Sequence, residues 1–253
     1  MEVIELRPYQ KTIIDIGSQT LLSRGFVYLA MEVRTGKTLT SLGIADRVKA
    51  VNVLFVTKKK AISSIEDDYQ LLNPSFNLTT INYESIHKIP DIQWDVIICD
   101  EAHSMGAFPK PSKRAKQVKE LIGKTKPFVI LLSGTPTPES FSQMYHQVYG
   151  IPTNPFAHYK NFYRFSDDYV NVRIKPIGGL QIRDYSAGHE SILEMMRPFT
   201  INFSQKNAGF EVQTTEEILY VRMKDATYSL AKKLQKHLVV EGKDEVIMGD
   251  TFD

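Results

Sequence analysis

Cysteine occurs once in the 253 residues, at Cys99. An internal disulfide is therefore excluded, a Cys-based zinc site within the chain is excluded, and a reducing compartment fits. No apolar run approaches the roughly 18 residues that a membrane-spanning helix needs. The opening Met1-Glu2-Val3-Ile4-Glu5 has neither the basic nor the apolar region of a signal peptide; the expected location is the cytoplasm. Charge of one sign is also missing. Lys and Arg number 31 against 29 Asp and Glu, a net charge of +2, so bulk charge neither demands nor forbids a nucleic-acid partner. No repeat or low-complexity tract is present. A 42% hydrophobic and 24% charged composition is that of a folded globular chain rather than a disordered one.

What is there is an alternation of helical and strand patterns over the first 150 residues, which predicts an α/β fold with a parallel sheet flanked by helices. Pro8 starts a helix running to about Arg24, with Gly25 as its stop. Strands are predicted at Phe26–Ala30, Val51–Val56, Leu78–Ile81, Asp95–Cys99 and Phe128–Leu132. Helices are predicted at Lys37–Val48, within Ala61–Leu72 and over Ser112–Gly123. Runs such as Val96-Ile97-Ile98-Cys99 suit a sheet covered on both faces. After Gly150 aromatics and prolines become frequent. A hairpin is expected from Val170–Ile174 and Leu180–Tyr185 around Gly178-Gly179. A helix at His189–Met196, a strand near Ile218–Val221 and a helix over Ala226–Leu238 complete the expectation. Residues 1–150 read as one lobe and 151–253 as a mixed α+β extension.

Met31-Glu32-Val33-Arg34-Thr35-Gly36-Lys37-Thr38 lies between a strand and a helix. Such a turn can cradle nucleotide phosphates: backbone N–H groups and the helix N-terminus face the anion, Lys37 reaches the outer phosphates, and Thr38 ligates Mg²⁺. The strict motif has glycine where this chain has Met31, and an ordinary helix start with a solvated lysine is the competing reading of this segment. Asp100-Glu101-Ala102-His103 follows a buried strand, where paired carboxylates point into the ligand crevice of such sheets. There Asp100 would hold Mg²⁺, Glu101 would orient and deprotonate a water, and His103 would pass on the state of the nucleotide. A helix start with acidic residues is the plainer alternative.

In combination these residues resemble the DEAH-box helicases and translocases of superfamily two. Ser133-Gly134-Thr135-Pro136 resembles the family's third motif. Leu6-Arg7-Pro8-Tyr9-Gln10 matches the opening motif of the SWI/SNF-like branch, Val53–Lys58 resembles motif Ia, and Ile81-Asn82-Tyr83-Glu84-Ser85 resembles the next DNA-facing motif. The resemblance implies a RecA-like, P-loop lobe that binds ATP and Mg²⁺ and tracks on nucleic acid, DNA rather than RNA. It implies that Arg7, Gln10, Arg34, Thr35, Gly36, Lys37 and Thr38 hold the nucleotide, with Gln10 on the adenine. Thr38 and Asp100 would serve the metal, and Lys37, Asp100 and Glu101 would be catalytic. His103, Ser133 and Thr135 would couple the sites, while Thr57, Lys58, Tyr83 and Ser85 would face the nucleic acid.

The chain departs from the family in three places. Arg34 stands where glycine is usual. Met196–Asn202 resembles the family's linker but lacks its paired arginines. Only 53 residues follow Thr200, whereas a second RecA-like lobe takes roughly 150; a fragment or half of a split motor is expected, with the second lobe in cis or trans. The compact motifs suggest a phage or bacterial member. A nucleotide-binding regulatory module, or a motor subunit of a restriction or defence system, are the alternatives. Lys58-Lys59-Lys60 can grip phosphate or be a solvated face, and the lysines of Lys110–Lys126 suit a solvated helix. Trp94, Cys99 and the run Phe156, Tyr159, Phe162, Tyr163, Phe165 read as core.

Overall fold

The computed structural model describes residues 4–177, 180–210, 221–237, 239–241 and 246–248. Two compact units are formed, Met1–Asn171 with Tyr185–Val212, and Val172–Asp184 with Gln213–Asp253.

The first unit is built on six strands: β1 (Phe26–Met31), β2 (Asn52–Thr57), β3 (Asn77–Asn82), β4 (Val96–Cys99), β5 (Phe128–Ser133) and, far along the chain, a strand at Thr200–Phe203 numbered β8 in chain order. Their order across the sheet is β3-β2-β4-β5-β1-β8, and every neighbouring pair is parallel. The inner strands are apolar and buried along nearly their whole length, as a parallel sheet covered on both faces requires. Alternate residues serve opposite faces. Tyr28, Leu54, Val56, Ile97, Cys99 and Leu131 join one core; Val27, Leu29, Met31, Phe55, Ile98 and Leu132 join the other.

Helices α1 (Pro8–Arg24), α2 (Lys37–Arg47) and α3 (Ile62–Leu72) contribute to the second core. Helices α1 and α2 meet through glycine: a Cβ on Gly43 would strike Ile14, and one on Gly17 would lie 2.5 Å from Ile44. Helices α4 (Lys113–Thr125), α5 (Met144–Gln147), α6 (Phe162–Tyr169) and α7 (Ser191–Met196) contribute to the first core. Phe156, Phe162 and Phe165 are buried there, while Tyr163 is exposed. Trp94 and Cys99 are buried as expected.

The second unit contains the antiparallel hairpin of β6 (Arg173–Ile177) and β7 (Leu180–Asp184), in which Lys175 pairs with Asp184 at 2.9 Å. It also contains α8 (Asp225–His237) and the short hairpin of β9 (Val239–Glu241) and β10 (Val246–Met248). The strand expected near Ile218–Val221 falls mostly outside the described residues, and Val221 itself is irregular. The hairpin's first strand begins at Arg173 rather than Val170. Val170 instead forms an isolated bridge to Gly188.

Candidate active site

Parallel pairing sends the carboxyl end of every strand to one edge of the sheet, the edge at which open α/β sheets bind ligands. The loop after β1 turns through Arg34 (φ 63°) and Gly36 (φ 76°), both left-handed. Gly36 is the N-cap of α2, and no side chain caps that end; α4 and α6, by contrast, are capped by Ser112 and Asn161. The first N–H groups of α2 therefore have no intrahelical acceptor and carry the positive end of the helix dipole, the arrangement that receives an anion. At Gly36 a side chain would be strained by the backbone conformation and would also run into the Gln10 amide.

Lys37 Nζ donates to the carbonyls of Met31 (2.9 Å) and Glu32 (3.1 Å). Burial lowers its pKa, opposed by the charges of Asp100 and Glu101. Thr35 is buried, its hydroxyl donating to Glu32 O at 2.7 Å. Thr38, in the first turn of α2, is half-buried, and Arg34 is exposed at the tip of the loop.

Gln10 is buried: its Oε1 accepts from Arg7 N at 2.9 Å and its Nε2 donates to Gly36 O at 3.4 Å, so it ties the start of α1 to the loop. Tyr9 and Gln205, which sequence reasoning missed, hold the same loop from outside. Tyr9 Oη donates to Thr35 O at 3.2 Å while its ring stacks on Phe203 at 4.6 Å. Gln205 Nε2 donates to Val33 O, and its backbone N–H to Glu32 Oε2, each at 2.8 Å. Only the aromatic residue beside the predicted helix start hinted at this; the partners of Gln205 lie some 170 residues away.

Beyond β4, Asp100 receives the Thr57 hydroxyl at Oδ2 (2.7 Å), and its carbonyl accepts from Tyr83 Oη (2.6 Å). Burial raises the Asp100 pKa; the Thr57 hydrogen bond pulls it back and Glu101 pushes it further up. Asp100 is half-buried, and a divalent cation is one charge that could compensate it there. Among the described residues no group of three or more His, Cys, Asp or Glu side chains forms a metal cage. The uncapped helix, the Lys37 ammonium and the half-buried Asp100 beside it fit a magnesium–nucleotide.

Glu101 sits at φ 50°, in the left-handed region. Its Oε1 lies 3.5 Å from Lys58 Nζ and its Oε2 3.4 Å from His103 Nδ1. His103 Nδ1 is in turn 2.9 Å from Ser133 Oγ, which accepts the Thr135 N–H at 3.1 Å. The three residues expected to couple are thus joined in one chain to the acidic pair. Tyr28, also missed, extends the buried polar network: its hydroxyl donates to Gln147 Oε1 at 2.7 Å, and Gln147 Nε2 donates to Pro136 O at 2.7 Å.

Of the four residues expected to face nucleic acid, Thr57 and Tyr83 are fully buried with their hydroxyls turned to Asp100. Burial raises the Tyr83 pKa well above its ordinary value. Lys58 is exposed and Ser85 half-buried.

The SNF2-related domain matches residues 29–251. Stretches of the chain are 32% identical to the RNA polymerase-associated protein RapA of Serratia proteamaculans, over 95 residues, and of Yersinia pestis, over 80 residues. Those stretches cover 37% and 32% of this chain but only 10% and 8% of the RapA proteins. In fold, the chain resembles the Sulfolobus solfataricus SWI2/SNF2 ATPase core in complex with dsDNA, at TM-score 0.61 and 18% identity, over 81% of this chain and 46% of that one. The same core domain in a second structure gives 0.55 at 18% identity, over 79% and 43%. The six-stranded parallel sheet and its flanking helices agree with that match in fold, and the chain belongs to the SNF2-related domain family.

Proposed function

We propose that this chain is the ATP-binding lobe of a nucleic-acid-stimulated motor that tracks on DNA. The observation that carries the reading is the convergence of Lys37, Asp100 and Glu101 beside the uncapped end of α2, close enough for both carboxylates to act on the lysine's charge. Bound ATP with Mg²⁺ supplies the phosphoryl group whose transfer to water drives the cycle. Lys37 and the α2 amides would receive its phosphates, Thr38 and Asp100 would hold the metal, and Glu101 would orient the water and take its proton. Arg7, Gln10 and Arg34 would border the base and the outer edge of the phosphates.

In this reading Asp100-Glu101-Ala102-His103 works as a DEAH box, and His103, Ser133 and Thr135 relay its state. A second RecA-like lobe, in cis or trans, supplies the arginine that such transfers use. The DNA partner is supported by the duplex bound to the Sulfolobus core. Lys58 and Ser85 would touch the backbone of that partner, with Thr57 and Tyr83 beneath them. A bacterial or phage protein working in the cytoplasm suits this reading; no helix among the described residues is long and apolar enough to cross a membrane.

The test is binding of a fluorescent ATP analogue with Mg²⁺, followed by steady-state hydrolysis with and without duplex DNA. Lys37→Ala should weaken binding at least tenfold, as expected for losing a charged hydrogen-bonding partner. Glu101→Gln should keep binding and lose turnover. Nucleotide binding indifferent to Lys37→Ala would overturn the proposal.

A further inference from the structure

Both oxygens of Glu101 are engaged, and one of the two partners belongs to the surface expected to meet nucleic acid. Lys58 directly follows β2. Its neighbour Thr57 is fixed inward on Asp100, and the Asp100 N–H donates to Val56 O at 2.8 Å, so the end of β2 is held in register with the acidic pair. From that fixed point the Lys58 side chain extends to Glu101. It is 54% exposed, against 35% for Glu101, and the pair is separated by 3.5 Å. Exposed ion pairs of this kind change an equilibrium only a few-fold, so a competing anion can displace them. Lys59 and Lys60, the next two residues, are exposed as well and add positive charge to the approach.

The geometry points to Lys58 as a positioning residue that exchanges partners, holding Glu101 when no nucleic acid is bound and turning to a backbone phosphate when one arrives. This inference rests on the proposed function and gives its coupling a physical form. A general base needs a free oxygen within hydrogen-bond reach of the proton it takes. An ammonium on Glu101 Oε1 competes for that oxygen, and a phosphate that captures the ammonium returns it. Coupling is reciprocal: if phosphate draws Lys58 from Glu101, then removing the charge of Glu101 must favour phosphate through Lys58.

Reciprocity permits a test that does not depend on turnover. The 253-residue chain is titrated with a short fluorescent DNA duplex at several salt concentrations, as wild type, Lys58→Met, Glu101→Gln and the double variant. Glu101→Gln should tighten binding about two- to fivefold and steepen the logarithmic salt dependence by roughly one phosphate contact. Both effects should vanish in the Lys58→Met background. They should survive in Lys59→Met, which removes a neighbouring cation without touching the pair. An equal effect of Glu101→Gln with and without Lys58 would mean general electrostatics and would overturn the exchange, leaving the motor reading intact. A wild-type chain that binds no duplex at low salt would overturn both.

Discussion

His146 shows how a single side chain makes this fold sensitive to acid. It is buried in α5, its Nδ1 2.6 Å from Ala107 O and its ring 5.6 Å from that of Phe162. Burial drives its pKa down to about 4; the Ala107 bond opposes this and Lys119 adds to it. Between that value and the ordinary histidine pKa near 6.5, the unfolded chain binds the proton and the folded chain does not. The contribution of His146 is therefore whole above about pH 6.5 and is lost as the pH falls towards 4, by up to roughly 3 kcal/mol. Urea midpoints of wild type and His146→Gln at pH 7 and pH 4.5 should show the gap between them closing in acid. A constant gap would mean that the imidazole is not held neutral. This residue carried no signal in the sequence. Lys37, Asp100 and Glu101 could be singled out because each belongs to a short run of consecutive residues that follows a strand. The partners of Lys58, Tyr28 and Gln205 could not, because each lies 43 or more residues away.

Among the elements, those with long apolar runs were readable to within a few residues, since a buried parallel strand and an amphipathic helix leave distinct periods. Five were missed, α5, α6, β8, β9 and β10, and two of them show the physical reason. Helix α6 carries Phe162, Phe165 and Tyr169 at helical spacing, but an aromatic run can line a core in any conformation. Strand β8 is four residues long and lies in the segment that resembles the linker; only its pairing with β1 makes it part of the sheet. The contact of α1 with α2 was hidden as well, because a glycine inside a helix reads as a weakness rather than as a place of close approach. Here Gly43 lets Ile14 into the space its side chain would fill. Gly43→Ala should be nearly neutral, the helix gaining about 1 kcal/mol while the end of Ile14 shifts. Gly43→Val should lose roughly 1–3 kcal/mol to overpacking. An unchanged denaturation midpoint in Gly43→Val would show that the two helices are not in tight contact.

At the scale of the whole molecule, the proposed nucleotide site and the only tryptophan sit at opposite edges of one sheet, which makes an internal reporter available. Trp94 is buried and precedes β4 at its amino end, next to a cavity of about 520 Å³ that Lys49 and Lys126 also line. Asp100 and Glu101 follow the same strand at its carboxyl end. A ligand bound at the carboxyl edge stabilises the first unit by linkage, by about 2.7 kcal/mol when its concentration is 100 times the dissociation constant. For a unit of this size that is roughly 5–10 °C in melting temperature. Thermal unfolding followed through Trp94 should move upward by that amount with ATP and Mg²⁺ at 100 times the wild-type dissociation constant, and by no more than about half of it in Lys37→Ala, whose binding is at least tenfold weaker. A shift undiminished in Lys37→Ala would place the nucleotide elsewhere, with the lysine-flanked cavity beside Trp94 itself as the first site to examine.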